Sequence, residues 1–410
     1  MMQKIALFIL SMGFILQETG AQYSAQQKQA LLDRRPGLTS KSVQRRLMRA
    51  NEFIVKDNRK EAINILEKMT KKTNYKAFEK AKIWQTLAYA YAQTEKYPQA
   101  RKAFKNSIDQ NALPYRPTLQ SIFALAQLQL MDEKYTAAEK YLRDWFSLSK
   151  EQKPDAYVFL ATIQFHKGEK KKALTSILKG LELSKKPKEN WLTFAVSLLY
   201  EEARYKEAGE MLFKLTEMNT GKKMYWTQLA GSLLNADKSM EALAVLDLAL
   251  KMDLLTQEGE MLNIISLHLS NGLPYEASQL MQTALSKKVL KSNKKNLELL
   301  ANSLIQAKEY EKALGPLDRA AKMSKDGKLF ALKARLHLEK EQFKTAIKYF
   351  DQALSRGLEK KQKGQVLIEK AVALIQIKDF PKASSALAKA EKIPTATKMA
   401  KNWQSYISKL

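Results

Sequence analysis

Ten alanines recur along the chain, at Ala62, Ala100, Ala138, Ala173, Ala208, Ala242, Ala277, Ala313, Ala346 and Ala383, at intervals of 33 to 38 residues. An aromatic stands three residues before many of them: Tyr97, Tyr135, Tyr205, Tyr310, Phe343 and Phe380. A large apolar residue follows four after, as at Phe104, Leu142, Ile177, Leu212, Leu246, Leu317, Phe350 and Leu387. A second alanine often comes at plus seven, as at Ala249, Ala284, Ala320, Ala353 and Ala390. Offsets of −3, +4 and +7 share one helical face, so each copy predicts a helix with one apolar stripe. Sixteen residues upstream of the anchor lie Trp84, Ile122, Tyr157, Leu192, Trp226, Met261, Leu297, Phe330 and Leu367. Leu-Ala pairs such as Leu87-Ala88, Leu125-Ala126, Leu160-Ala161, Leu229-Ala230 and Leu300-Ala301 mark the same stretch as the first helix of each pair. A period in this range is that of a helix–turn–helix unit that cannot bury its face alone and must stack.

The copy running from Trp84-Gln-Thr-Leu87-Ala88-Tyr-Ala-Tyr91 into Tyr97-Pro-Gln-Ala100-Arg-Lys-Ala-Phe104 resembles the tetratricopeptide repeat. The resemblance spans residues 43–395 and implies an all-α, right-handed superhelical solenoid of about ten repeats. Val196 and Ile265 replace the small residue of the first helix in two divergent copies. Residues 396–410 place Met399, Trp403, Tyr406 and Ile407 at helical spacing, the pattern of a C-terminal capping helix over the last repeat.

The other end is organised differently. Met1-Met2-Gln3-Lys4 is followed by an apolar run from Ile5 to Leu16 and by the small residues Thr19-Gly20-Ala21. That is the layout of a cleaved secretory signal over residues 1–21. The run is too short to span a bilayer, which takes roughly 20 residues. No later stretch is apolar enough to cross one, so the exported chain is expected not to be transmembrane. Residues 22–42, with Gln26-Gln27-Lys28-Gln29 and Arg34-Arg35-Pro36-Gly37, read as a polar, flexible or loosely helical arm. Cysteine is absent, which removes disulfides, thiolate chemistry and cysteine metal sites.

Charge adds a second kind of surface. The net formal charge is +28, and it stays there without residues 1–21, which hold one lysine and one glutamate. Lysines cluster at Lys185, Lys186 and Lys188, at Lys287, Lys288, Lys291, Lys294 and Lys295, and at Lys360, Lys361 and Lys363. Each cluster falls between the second helix of one repeat and the first of the next, which predicts a basic edge. Such an edge either keeps the protein soluble or attracts an anionic partner: a protein tail, an envelope polymer or a lipid surface. Nucleic acid is not expected, since an export signal is present and no nucleic-acid motif accompanies the charge.

Nothing in the chain spells out catalysis. His166, His268 and His337 are far apart and belong to no metal-binding pair, and no phosphate-loop or nucleophile-elbow motif occurs. No catalytic residue, cofactor or metal is expected. Binding remains, on first-helix positions off the core stripe: Gln85, Tyr89, Gln93, Phe123, Gln127, Thr162, His166, Asn190, Thr193, Ser197 and Thr227. Amide and hydroxyl side chains among aromatics suit an extended or helical peptide.

Two central motifs narrow the resemblance. Tyr225-Trp226-Thr-Gln-Leu229-Ala230-Gly231 and Gly272-Leu-Pro-Tyr275-Glu-Ala277 are similar to exported tetratricopeptide proteins grouped with TonB systems, over residues 189–290. The similarity implies a Gram-negative periplasm and a protein partner in a TonB-type energy-transducing complex. It carries over no site residues. Partner identity, oligomeric state and the alternative of docking on anionic peptidoglycan or lipid stay open at this point.

Overall fold

The computed structural model describes residues 23–409; the expected signal segment and Leu410 lie outside the described residues. All regular secondary structure among the described residues is α-helical. The helices fall into two compact units, one ending at Met218 and one beginning at Asn219. The first unit holds α1 (Ala25–Leu32) and five hairpins. These are α2 (Lys41–Val55) with α3 (Arg59–Thr70), α4 (Ala77–Gln93) with α5 (Tyr97–Asp109), and α6 (Tyr115–Met131) with α7 (Tyr135–Leu148). Then come α8 (Pro154–His166) with α9 (Lys170–Leu183), and α10 (Glu189–Glu201) with α11 (Tyr205–Met218).

The second unit repeats the plan. Its hairpins are α12 (Lys223–Asn235) with α13 (Ser239–Lys251), α14 (Glu258–Ser270) with α15 (Pro274–Ser286), and α16 (Lys294–Gln306) with α17 (Tyr310–Lys322). The last are α18 (Lys328–Glu339) with α19 (Phe343–Arg356), and α20 (Lys360–Gln376) with α21 (Phe380–Glu391), followed by α22 (Thr397–Ile407).

Every hairpin is closed the same way. The residue five before each anchor alanine is left-handed: Asp57, Glu95, Glu133, Gly168, Ala203, Asp237, Gly272, Lys308, Glu341 and Lys378, with φ between 53° and 78°. The N–H of the next residue donates back to the carbonyl nine before the anchor at 2.8–2.9 Å, as in Lys96 to Tyr91 and Arg204 to Leu199. This satisfies an orphan carbonyl of the first helix, as a Schellman cap does. The carbonyl of that same residue then accepts from the anchor N–H at 2.9–3.4 Å and starts the second helix. One residue therefore ends one helix and begins the next.

The turn fixes where the anchor falls. Each of the ten alanines is the fourth residue of its helix, and each is fully buried. The residue four further on fills the space beside it: Leu66, Phe104, Leu142, Ile177, Leu212, Met281, Leu317, Phe350 and Leu387 are all at most 1% exposed, while Leu246 is half-buried. The alanines at plus seven are buried as well. Small side chains here let the second helix lie against its neighbours at native packing density. Val196 and Ile265 are buried too, so the divergent copies keep the contact with a larger side chain.

The N-terminal segment, expected as a polar, flexible or loosely helical arm over residues 22–42, is helical at α1 and is docked on the first unit. Ser24 and Gln27 form a capping box that starts α1, and Leu31 is buried against Ile122, Ala126 and Leu142. Arg34 donates to the Leu113 carbonyl and to Asn111 Oδ1, both at 3.1 Å. Tyr23 packs on the same cluster as Leu31, so two apolar contacts and one guanidinium dock a segment whose composition is otherwise polar. Glu79 ties the next stretch down by accepting from Ser40 N at 2.8 Å and Lys76 N at 3.0 Å. Burial pushes its carboxyl up, but those backbone donors outweigh it and hold it below the usual range.

At the other end, Ala400 is buried, and Trp403 and Ile407 of α22 pack on the cluster that contains Leu374, Leu387 and Ala396. Met399 and Tyr406 face outward. Gly327, just before α18, sits so close to α19 that a Cβ there would lie 2.0 Å from the Ala353 carbonyl oxygen. Only glycine fits that approach.

Enlarging the fully buried anchor Ala242 to leucine is expected to overpack the contact and cost about 1–3 kcal/mol, read from the denaturation midpoint. Ala203 is an exposed left-handed residue with φ 53° and no polar side chain to compensate. Ala203→Gly is expected to raise stability by about 0.5–1 kcal/mol. A lowered midpoint for Ala203→Gly would contradict the strain assigned to the turn.

Candidate protein-binding surface

In the first unit, neighbouring first helices touch through side chains, which makes a row of α4, α6, α8 and α10. Gln85 of α4 donates to Ser121 Oγ of α6 at 2.9 Å. Phe123 of α6 meets Phe159 of α8 with ring centroids 5.3 Å apart, and Phe165 of α8 meets Phe194 of α10 edge-on at 5.6 Å. The position eleven before the anchor comes to the outside in each helix: Tyr89, Gln127 and Ser197 are exposed, and Thr162 is half-buried. Gln93 and His166 occupy the position one turn further along, and both are exposed.

Not every candidate belongs to this stripe. Gln85 is buried at 4% exposure, and its amide is spent on Ser121 and on the Pro117 carbonyl at 3.0 Å. It is a bridge between first helices, which corrects its assignment to a binding groove. Phe123 is half-buried between Trp145 and Phe159 and packs rather than presents. Asn190 is exposed and Thr193 half-buried, and Thr193 and Ser197 donate to the carbonyls of Asn190 and Phe194 at 3.1 and 2.8 Å. Thr227 is exposed on α12 and therefore lies in the second unit.

Two residues of the same face escaped the reading of the chain. Phe165 is 36% exposed and Met131 is 58% exposed, both on first helices. Phe165 lies against His166 at 5.8 Å, and His166 stacks on Tyr135 at 5.3 Å with 9° between the rings. An aromatic cluster therefore rises beside the polar stripe at α8. The signal was a large apolar residue off the core register of its helix.

Below this cluster lies a buried ionic knot. Glu139 of α7, 6% exposed, accepts from Arg143 Nη2 at 2.6 Å and from Lys167 Nζ at the end of α8. Lys167 also pairs with Glu169 at 2.8 Å. Burial pushes the Glu139 carboxyl up, but the Lys167 and Arg143 hydrogen bonds and charges outweigh it and hold it below the usual range. The knot fixes the turn after His166 and so the orientation of the cluster above it.

The lysine clusters are exposed, except that Lys294 is half-buried. Lys185, Lys186 and Lys188 lie between α9 and α10, where Lys188 pairs with Asp155 at 2.8 Å and covers the Trp191 ring at 4.7 Å. Lys287, Lys288 and Lys291 precede α16. Lys294, Lys295, Lys360, Lys361 and Lys363 stand inside first turns of helices rather than in the connections, because Asn293 and Glu359 already serve as N-caps. Among the described residues, no group of three or more His, Asp and Glu side chains could hold a metal ion, and no helix is long and apolar enough to cross a membrane.

A run of helical hairpins with a shared turn and a small-residue contact defines an all-α repeat solenoid. Residues 81–112 and 332–397 each match a tetratricopeptide-repeat family model. The chain therefore carries tetratricopeptide repeats over these residues, and proteins built of such repeats mediate protein–protein interaction as scaffolds. Similar solved structures include the C-terminal part of a TPR repeat-containing protein from Cytophaga hutchinsonii (14% identity, 68% of this chain and 95% of that one, TM-score 0.38). Another is a tetratricopeptide repeat protein from Parabacteroides merdae (16% identity, 62% of this chain and 98% of that one, TM-score 0.31). A third is YrrB, described as a TPR protein with an unusual peptide-binding site (14% identity, 45% of this chain and 91% of that one, TM-score 0.36). No curated protein matches the chain.

Glu139→Gln is expected to cost roughly 1–3 kcal/mol at neutral pH, because two cations lose a charged acceptor. The folded-state carboxyl lies below its ordinary value of 4.5, so this contribution is complete above that value and disappears as pH falls through the folded one. The stability difference between wild type and variant, measured by denaturation from pH 7 downward, should therefore be flat and then close in acid. A difference that grew on acidification would contradict the assignment.

Proposed function

We propose that this chain is a non-enzymatic periplasmic adaptor that holds a protein partner of a TonB-type energy-transducing complex. The observation that carries the binding part of this reading is the stripe on the first unit. Tyr89, Gln127, Thr162 and Ser197 occupy one register position on four successive first helices, with Phe165 and His166 beside them. Gln127 and Ser197 stand outside the core, and Tyr89, whose ring packs edge-on on Phe104 at 4.9 Å, keeps part of its surface exposed, so the stripe can meet a peptide with polar contacts and an aromatic anchor.

The compartment and the partner rest on the chain itself. A signal-like start supports export, and the Trp226 and Gly272 motifs support the TonB association by similarity. Both motifs also do structural work. Trp226 is buried and donates from Nε1 to the Thr220 carbonyl at 2.8 Å, and Gly272 is the left-handed residue of its hairpin with Pro274 opening α15.

The test is capture by tagged full chain in intact envelopes after cross-linking, followed by identification of what is bound. The expected result is recovery of TonB, one of its inner-membrane motor partners or a receptor. A combined Tyr89→Ala, Gln127→Ala and Ser197→Ala variant should reduce that recovery by about tenfold. Recovery of none of these components would overturn the TonB association, and undiminished recovery with the variant would overturn the assigned face.

A further inference from the structure

The second unit contains a cleft that the stripe above does not involve. It has a volume of about 960 Å³ and lies between α19, α20 and α21. Arg335 of α18 and Glu369 of α20 join the two first helices at 2.9 Å, so that side is closed. The cleft instead opens between the second helices α19 and α21, along α20. It is therefore not part of a first-helix face.

Six lysines line it, against a single carboxylate, Asp351. Two of the six are already matched: Lys370 pairs with Asp351, and Lys382 with Asp379 at 2.8 Å. Lys360, Lys363, Lys389 and Lys392 have no carboxylate partner among the described residues. The antiparallel hairpin gathers these four at one end, because α20 begins at Lys360 and α21 finishes at Glu391. Lys370 and Lys382 lie toward the hairpin turn. Cations within one cleft repel one another, and the low-dielectric walls focus their field outward.

Local helix stability does not explain this arrangement. The first turn of α20 holds Lys360, Lys361 and Lys363 and no acidic residue. Cations at a helix N-terminus oppose the macrodipole, so the placement costs stability. An anion seated there would offset both the dipole and the mutual repulsion.

The rest of the lining selects among anions. Leu354, Leu367, Ala386 and Ile393 interleave with the lysines, and neither an aromatic ring nor an arginine lines the cleft. Nucleic acid would want stacking platforms. A phosphate chain would leave the aliphatic wall uncovered. Along α20 the cleft extends from Lys360 to Lys370, about 15 Å at helical rise, which is longer than one phosphate or carboxylate needs. We propose that this cleft binds an acidic segment of a partner protein, with carboxylates at the Lys360, Lys363, Lys389 and Lys392 end and aliphatic side chains over the half-buried Leu354 and Ile393. The inference rests on the adaptor reading and gives it a second contact of stated chemistry, on another surface.

The experiment uses full chain and a fluorescein-labelled peptide of about ten residues alternating Glu with Leu, long enough to span the cleft. Its comparison probes are the Gln-for-Glu peptide, tripolyphosphate, and vesicles of anionic phosphatidylglycerol. Binding of the Glu peptide is expected, weakening steeply with salt. Lys363→Gln with Lys389→Gln should weaken it by about tenfold or more, and Lys185→Gln with Lys186→Gln should leave it unchanged. All four positions are exposed, and thermal unfolding of each variant confirms that it folds. Equal loss in the two variants, equal binding of the Gln peptide, or tighter binding of tripolyphosphate or vesicles through Lys363 and Lys389 would overturn the proposal. If the Glu peptide fails to bind while envelope capture still depends on Tyr89, Gln127 and Ser197, the cleft assignment falls and the adaptor reading stands.

Discussion

Each hairpin depends on one backbone event: a left-handed residue that ends the first helix and sets the second helix's starting point three residues before a buried alanine. Because the turn is the same length in all ten hairpins, the alanine always arrives at the same place on the helix. Close packing then follows from the absence of a side chain beyond Cβ. Neither part suffices alone. A turn of another length would rotate the stripe away from its neighbours, and a larger anchor would hold the helices apart.

That constraint decides which residues are left for function. The aromatics and leucines at the core offsets are consumed by packing, including much of what gives the chain its family likeness. What stays outside is a polar and aromatic face on the first helices of the first unit, and a cationic cleft beside the second helices at the end of the second unit. The two surfaces differ in chemistry. One offers amides, hydroxyls and ring faces, and the other offers ammonium groups around an aliphatic floor. An adaptor with two such surfaces could discriminate between two partner segments, or hold two parts of one.

Much of the fold was legible because small residues recurred at a fixed offset from large ones, a periodicity that survives divergence in everything else. The hairpin turn was not legible, since its left-handed position is filled by Asp, Glu, Gly, Ala or Lys, which share no side-chain chemistry. Gln85 looked like a groove residue because its satisfying partner, Ser121, sits on the next first helix and is invisible from one helix alone. The lead-in segment read as a flexible or loosely helical arm, and its docking was not legible because Tyr23, Leu31 and Arg34 are few anchors in a polar stretch. The lysine cleft escaped because its two halves, Lys360 to Lys370 and Lys382 to Lys392, converge only when α20 and α21 fold back on each other. Grouping lysines by the connections between repeats caught one half and missed the other.

The claim on which the rest stands is that the same turn and alanine contact recur in all ten hairpins and carry the stability of each. Amide hydrogen exchange on the full chain measures this directly, hairpin by hairpin. The account expects a protection maximum around every anchor alanine, repeating at the spacing of the ladder and weakening only toward the chain ends. Protection confined to one region, or anchors no slower to exchange than the outward faces of their own helices, would contradict it.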